Sequence, residues 1–123
     1  MRYTRLFADD TGESHFEDVE IEFAETEYIS SSAPLGLSLL SSATQLGFMN
    51  ARAGWEADWH PSAARNFFIV LTGEWEVTAS DGETRRFGPQ GLLLVEDTTG
   101  KGHKSRVISD SIAVMMELAD NRG

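Results

Sequence analysis

Short stretches of alternating apolar and polar residues, each closed by turn residues, limit most strongly what this chain can form. Trp75, Val77 and Ala79 alternate with Glu76 and Thr78, as expected for a strand with one solvated face. No long segment repeats apolar residues at the three- and four-residue spacing of an amphipathic helix. The pattern therefore predicts an all-β fold with little or no helix, and the short links favour antiparallel pairing.

The same alternation predicts about eight or nine strands along the chain. Residues 66–72 are almost continuously apolar, which predicts a central strand buried on both faces. Asp81 and Gly82 predict a tight hairpin turn in which both residues adopt positive φ. The other predicted strands are residues 19–23, 45–53, 75–79, 84–87 and 92–96, with a last hairpin formed by residues 104–109 and 112–118.

The length of 123 residues suits one domain. We expect a small antiparallel jelly-roll barrel over residues 1–123, since this architecture protects the edges of its sheets. Residues 1–43 are interpreted as an N-terminal strand and loop extension that packs on the barrel. The serine-rich residues 30–43 form the loop of this extension, with an apolar patch at Leu37, Leu39 and Leu40 against a neighbouring element.

The charge of the chain argues against polyanionic partners. Ten Lys and Arg residues against twenty Asp and Glu residues give a formal net charge of −10. Such a surface repels a phosphate backbone and an anionic membrane, so we expect no nucleic-acid or membrane partner. The absence of cysteine excludes disulfides and thiolate chemistry. Without a recognisable signal peptide or apolar span, the chain is predicted to be cytoplasmic.

Two spaced motifs resemble those of the cupin superfamily. The first cupin motif runs glycine, five residues, His-x-His, three or four residues, glutamate, six residues, glycine. In this chain Gly54, His60 and Gly73 hold the expected spacing. The second histidine position is Ser62 and the glutamate position is Asn66, so two of the three ligand positions of this motif are replaced.

The second cupin motif runs glycine, five residues, Pro-x-Gly, two residues, histidine, three residues, asparagine. Gly91, Gly100 and His103 follow it with one residue inserted. Asp97 stands at the proline position and Val107 at the asparagine position. Together with the segment 14–18, these fragments are similar to a group of short single-domain cupins (type 2 conserved barrels) of unassigned function.

The resemblance implies a pocket and a partner. His60 and His103 would lie on facing strands and point inward, with Ser62 and Asn66 completing a ligand-binding pocket. If a metal is bound, the resemblance assigns His60, His103 and Asn66 to a divalent transition metal, although an amide is a weaker ligand than a carboxylate. Small cupins commonly pair sheet against sheet or exchange N-terminal strands, so a homodimer is also expected.

Other residues offer alternative chemistry. Either pocket histidine could move a proton near neutral pH, but the sequence identifies no carboxylate partner for it. Arg52, Arg65 and Lys101 either receive an anionic group on a ligand or pair with neighbouring carboxylates. His15 is interpreted as a surface or strand-edge residue, and a third ligand from its segment is the alternative.

Three functions remain open from the sequence. The first is a small-molecule-binding protein whose pocket holds an organic acid or sugar-like compound and whose metal motif is degenerate. The second is a metal-dependent enzyme of the dioxygenase or isomerase type that uses His60 and His103. The third is a non-catalytic structural or interaction module with a filled barrel mouth. No catalytic residue is assigned, and no cofactor is required by the sequence.

Overall fold

The computed structural model describes residues 1–119, which form ten strands and no helix. Residues 120–123, the end of the predicted domain, lie outside the described residues. Accordingly, no helix long and apolar enough to cross a membrane occurs within residues 1–119. The strands are β1 Arg2–Ala8, β2 Ser14–Glu20, β3 Ala24–Thr26, β4 Leu35–Leu37, β5 Ala43–Ala51, β6 Glu56–His60, β7 Asn66–Ala79, β8 Thr84–Phe87, β9 Leu92–Val95 and β10 His103–Leu118.

Eight strands form one hydrogen-bonded sheet that curves into two facing layers. The long strands β7 and β10 pair antiparallel along their whole length and belong to both layers. The first layer has the order β2-β1-β9-β7-β10-β5, and the second adds β8 to β7 and β6 to β10. The chain is therefore an all-β jelly-roll-like fold, as predicted. One pairing, β1 with β9, is parallel, so the sheet is mixed rather than purely antiparallel.

β7 and β10 bend where they pass from one layer to the other. The register between them shifts on both sides of Ser109, before pairing resumes at Ile112. Gly73 lies at this bend with φ of 75°, and a Cβ there would be 2.2 Å from the carbonyl oxygen of Asp110. Only glycine combines this backbone conformation with such a close approach.

The two bent strands correct the sequence interpretation. The predicted hairpin of residues 104–109 and 112–118 is wrong, because both segments belong to the single strand β10. Gly73 and Glu74, predicted to separate two strands, lie inside β7. In each case a polar or glycine-containing break is a bulge rather than a turn, since the partner strand bends at the same place and continues the pairing.

The predicted hairpin at Asp81 and Gly82 is confirmed, with a different turn. It connects β7 to β8, whose pairing begins at Thr78 and Thr84. Gly82 adopts φ of 99°, whereas Asp81 keeps a negative φ. The amide of Gly82 donates to the carbonyl of Ala79, and the amide of Ala79 donates to the carbonyl of Glu83. This is a longer loop with one left-handed residue, which needs glycine only once.

The core lies between the two layers. It is built from alternate residues of the central strands, so each strand contributes one face. Trp75 is its largest member, and its indole N–H donates to the hydroxyl of Ser111 at 2.8 Å. Trp75 therefore lies on the buried face of its strand, with its one polar atom satisfied. The main buried apolar residues are Leu6, Phe16, Phe68, Val70, Trp75, Val77, Phe87, Leu93, Val95, Val107 and Ala113.

Residues 21–42, here called the arm, lie apart from this core. Strands β3 and β4 of the arm pair only with each other, as a small two-stranded sheet. The predicted strand at residues 19–23 ends at Glu20, so Phe23 belongs to the arm and is exposed. Leu39 and Leu40 are also exposed rather than packed against a neighbouring element.

Candidate functional site

A cavity of about 370 Å³ opens between the two layers. It contains all four residues predicted for the pocket, namely His60, Ser62, Asn66 and His103. The rest of its lining is mainly apolar and comes from five strands and the loops before and after β6. These residues are Met49, Trp55, Ala57, Pro61, Ala63, Ala64, Phe68, Trp75, Val77, Leu93, Val95, Ser105, Met115 and Glu117.

The two histidines meet because β6 and β10 are neighbours in the second layer. His60 ends β6 and His103 begins β10, and the two residues are direct partners in the antiparallel pairing. Their ring centroids are 4.9 Å apart. His103 is 9% exposed, whereas His60 is exposed at the mouth of the cavity. The pair therefore extends from the rim of the cavity into its interior.

Hydrogen bonds define which nitrogen of each ring carries the proton. His60 Nδ1 lies 2.7 Å from the carbonyl oxygen of Asp58. A carbonyl oxygen only accepts, so Nδ1 is the donor and the neutral ring has its lone pair on Nε2. His103 Nδ1 lies 2.6 Å from the carboxylate oxygen Oδ2 of Asp97, which assigns the same tautomer. Both imidazoles thus offer Nε2 as an acceptor or base.

Asp97 is the residue in contact with His103 that the sequence interpretation did not assign to the site. Its side chain is fully buried, and its second oxygen, Oδ1, has no hydrogen-bond partner among residues 1–119. A buried carboxylate with a single hydrogen-bond partner is energetically costly, and the one bond that Asp97 makes orients the ring of His103. The available signal was its position, because an acidic residue replaces the proline of the second motif six residues before His103.

Ser62 and Asn66 shape the loop that borders the cavity. The amide nitrogen of Asn66 donates to Ser62 Oγ at 3.3 Å and to the carbonyl of Ala64 at 3.1 Å. The hydroxyl of Ser62 donates to the same carbonyl at 2.7 Å. These bonds use the donors of both side chains within the loop, so Ser62 and Asn66 hold its conformation.

The donor set does not fit a metal ion held by three protein ligands of the usual kinds. Among residues 1–119, no three His, Cys, Asp or Glu side chains are grouped so that they could hold a metal ion. Two imidazole nitrogens and an amide oxygen supply no negative charge to offset that of a divalent cation. Asp97 is already engaged with the Nδ1 of His103.

Arg65 and Lys101, two of the cationic side chains near the site, pair with carboxylates. Arg65 Nε lies 2.6 Å from Glu96, whose other oxygen binds Arg5 of β1. Burial alone would raise the pKa of Glu96, but the hydrogen bonds from both arginines outweigh it and hold this pKa below its usual value. Lys101 likewise pairs with Glu13. Neither Arg65 nor Lys101 lines the cavity, so the pairing alternative for both residues agrees with the structure.

His15 lies outside the cavity lining. Its ring bridges two carboxylates, with Nε2 2.6 Å from Asp9 and Nδ1 3.0 Å from Asp81. The hydrogen bond to Asp9 is the largest influence on the pKa of His15, which is raised above its usual value. His15 therefore joins β2 to the β7–β8 turn and supplies no third ligand to the histidine pair.

Gly102 permits the close approach of the strands that carry the histidines. It has φ of 75°, and a Cβ at this position would be 2.1 Å from the carbonyl carbon and oxygen of His60. The carbonyl oxygen of Gly102 accepts a hydrogen bond from Ser14 Oγ at 2.7 Å. A larger residue would push the end of β6 away from the start of β10.

Comparisons with known proteins identify the fold. A cupin-2 domain-containing protein from Shewanella frigidimarina aligns with a TM-score of 0.50 and 18% identity, over 61% of this chain and 70% of its own. A conserved protein of unknown function from Streptococcus pyogenes aligns with a TM-score of 0.51 and 20% identity, over 67% of this chain and 75% of its own. No protein-family model and no curated protein matches the sequence. The chain therefore has a cupin-like fold, as its resemblance to the two motifs predicted.

Proposed function

We propose that the cavity binds a small, neutral, largely apolar organic molecule that donates a hydrogen bond to the paired imidazoles. The observation that carries this proposal is the shared tautomer of His60 and His103. Each ring uses Nδ1 as a donor to the protein and keeps the lone pair of Nε2 for another partner. An alcohol, a phenol or a sugar-like hydroxyl group matches such acceptors.

The size and walls of the cavity suit a ligand of this kind. About 370 Å³ lies within the range of small-molecule sites, which are mainly apolar with a few placed polar groups. Phe68, Trp75 and Leu93 contribute apolar surface deep between the layers. A filled barrel mouth would favour the alternative of a purely structural module, and the open cavity argues against it.

The charges around the cavity favour a neutral ligand over an anion. Among residues 1–119, no Arg or Lys belongs to its lining, and Glu117 places a carboxylate there instead. Arg65 and Lys101, two of the three candidates to receive an acidic group, are paired with Glu96 and Glu13, and the third, Arg52, lies outside the lining. This refines the predicted ligand class towards hydroxyl compounds and away from organic acids.

Three probes with the same ring test the proposal by calorimetric titration, with the tryptophan fluorescence of the cavity as a second readout. Toluene has no donor, p-cresol has one, and 4-methylbenzoate carries a negative charge. We expect p-cresol to bind tightest, by about threefold to tenfold over toluene, which corresponds to one net hydrogen bond. We expect 4-methylbenzoate to bind weakest.

Variants at two histidines provide the matched comparison. His60→Leu should remove much of the advantage of p-cresol over toluene, because the rim acceptor is lost. His15→Asn changes a histidine outside the cavity and should leave both affinities unchanged. Equal affinities for p-cresol and toluene in the wild type, or no binding of any probe, would overturn the proposal.

The Asp97–His103 pair favours a second candidate function, proton transfer on the bound molecule. A carboxylate on Nδ1 of an imidazole orients the ring and stabilises the imidazolium that forms when Nε2 takes a proton. This supplies the carboxylate partner that the sequence interpretation lacked. His103 would act as the base and Asp97 as its positioning residue.

A generic proton-abstraction probe tests this second candidate. With 5-nitrobenzisoxazole, Nε2 of His103 would take the C3 proton, the C–H electrons would form the nitrile, and the N–O bond would break to release a coloured phenolate. We expect turnover above the buffer rate, reduced at least about tenfold by Asp97→Asn with a changed pH profile. A probe that binds without accelerated conversion would refute proton transfer and leave ligand binding intact.

A further inference from the structure

A second polar wall of the cavity is formed around Glu117. This residue lies near the end of β10 and lines the cavity together with Met115 of the same strand. Side chains two residues apart share one face of a strand, so both point between the two layers. The carboxylate of Glu117 is thus placed in a cavity whose lining is mainly apolar.

The bend of β10 returns Glu117 to the end of the sandwich that holds His103. The two residues lie seven positions on either side of Asp110, which is at the bend. At one end of the β7–β10 pairing, Glu117 pairs with Asn66. At the other end, His103 pairs with Ala79. Because the paired strands fold over at the bend, both ends reach the same open end of the sandwich, in layers that pack about 10 Å apart. Glu117 and Asn66 therefore face the histidine pair across the cavity.

Glu117 has no cationic partner within residues 1–119. No ion pair and no side-chain hydrogen bond among these residues includes its carboxylate. Arg65 is a neighbour in the sheet, since its carbonyl accepts a hydrogen bond from the amide of Leu118. The guanidinium of Arg65, however, donates to Glu96 and to the carbonyl oxygen of Ala119. The carboxylate of Glu117 consequently keeps its acceptor capacity for another partner.

The amide of Asn66 adds a second acceptor beside Glu117. Its hydrogen bonds run from Nδ2, to Ser62 Oγ and to the carbonyl of Ala64. A side-chain amide has two donors and one acceptor oxygen, so Oδ1 remains available while the donors are used. Asn66 and Glu117 are direct partners in the antiparallel pairing, and both line the cavity. These two residues, here called the acceptor wall, offer oxygen lone pairs opposite the Nε2 lone pairs of the histidines.

We propose that the molecule in the cavity is a neutral diol, with one hydroxyl group bound by the histidine pair and the other bound by the acceptor wall. This inference rests on the proposed function, because it adds a second recognition group to the same ligand. A molecule with a single hydroxyl group would leave a carboxylate facing apolar surface, where it loses hydration without gaining a hydrogen bond. Glu117 is only half-buried, so water screens its charge and it acts as a strong hydrogen-bond acceptor rather than as a selector of cations.

Two dihydroxy probes test the proposal in the titration used for p-cresol. The first, 4-methylcatechol, carries its second hydroxyl group next to the first. The second, 4-hydroxybenzyl alcohol, carries it on the methyl carbon, so the two probes sample a short and a long spacing. We expect at least one of them to bind about threefold to tenfold tighter than p-cresol, since one further hydrogen bond forms to a partly exposed acceptor.

Variants at two glutamates locate the second hydroxyl group. Glu117→Met removes the carboxylate but keeps a side chain of similar length, and should bring the tighter dihydroxy probe to within about twofold of p-cresol. Glu56→Met removes an equal charge from an exposed position of β6 outside the cavity lining, and should keep the wild-type difference. Glu117→Gln keeps the shape and one acceptor oxygen, so part of the advantage should remain, and it provides the comparison if Glu117→Met does not fold.

The outcomes separate this inference from the proposed function. If p-cresol binds no tighter than toluene, the histidine site itself is refuted and the diol with it. If p-cresol binds tighter than toluene but neither dihydroxy probe binds tighter than p-cresol, only the acceptor wall is refuted. An advantage of a dihydroxy probe that persists undiminished in Glu117→Met and Glu117→Gln would also overturn the assignment to Glu117.

Discussion

Replacing Gly102 with alanine should separate the two pocket histidines and destabilise the protein. The new methyl group would be 2.1 Å from the carbonyl carbon and oxygen of His60 and 2.4 Å from the nitrogen of Pro61. Relief to an ordinary contact requires a movement of more than about 1 Å between the end of β6 and the start of β10. The direct pairing of His60 with His103 lies at this point.

Two contributions determine how much stability Gly102→Ala should lose. A non-glycine residue at positive φ costs about 1–2 kcal/mol, and forcing a methyl group into a filled site costs about 1–3 kcal/mol more. Gly82 is the matched control, because it has φ of 99° and a Cβ added there would meet nothing within 4 Å. We therefore expect a loss of about 2–5 kcal/mol for Gly102→Ala and about 1–2 kcal/mol for Gly82→Ala.

Urea unfolding of the two variants measures this difference directly. The binding of p-cresol adds a second readout, since Gly102→Ala should weaken it while Gly82→Ala, in a turn outside the cavity lining, should not. If both variants lose the same stability and bind p-cresol equally, the close approach at Gly102 is not what holds the histidines together.

Three further predictions concern stability. His15→Gln should be less stable than the wild type below pH about 6.5, and the difference in stability should shrink as pH rises. The hydrogen bond to Asp9 raises the pKa of His15, so the contribution of this residue to stability is lost when it deprotonates. Urea unfolding across pH measures the difference, and a difference that grows with pH would contradict this reasoning. Trp75→Phe should cost about 1–3 kcal/mol in the same assay from the lost indole hydrogen bond and volume, and an unchanged midpoint would show that the bond contributes nothing. Glu96→Gln should lower the free energy of unfolding by about 1–3 kcal/mol at neutral pH and by less in acid. The pKa of Glu96 is lowered, so its carboxylate stabilises the fold only at a pH at which it is charged. A loss of stability that does not depend on pH would refute an electrostatic role.

Local pattern was sufficient for much of the fold. The short strands β8 and β9 and the turn at Asp81 and Gly82 follow from alternation and turn chemistry, which involve only neighbouring residues. Local sequence pattern was insufficient to predict the places where a strand bends and continues. Residues 109–111 resemble a turn in isolation, and only their pairing with β7 shows that β10 continues through them.

Some residues of the candidate site could likewise be predicted from the sequence, and others could not. His60 and His103 could be proposed from the resemblance to the two cupin motifs, and the structure brings their rings together. The role of Asp97 could not be proposed, because an acidic residue in a loop is ordinarily solvated, and only packing shows that it is buried against His103. For Arg65, the sequence left open whether it binds an anionic group of a ligand or pairs with a carboxylate, and its contact with Glu96 supports the pairing.

The sequence by itself determined the β character of the chain and the place of the connection at Asp81 and Gly82, since both depend on residues adjacent or regularly spaced along the backbone. The resemblance of its motifs to those of cupins indicated the two histidines. The tertiary structure alone decided the parallel pairing of β1 with β9, the burial of Asp97 and the exposure of the arm. These features arise from contacts between segments far apart in the chain, and such contacts are selected by packing of the whole domain rather than by local preference.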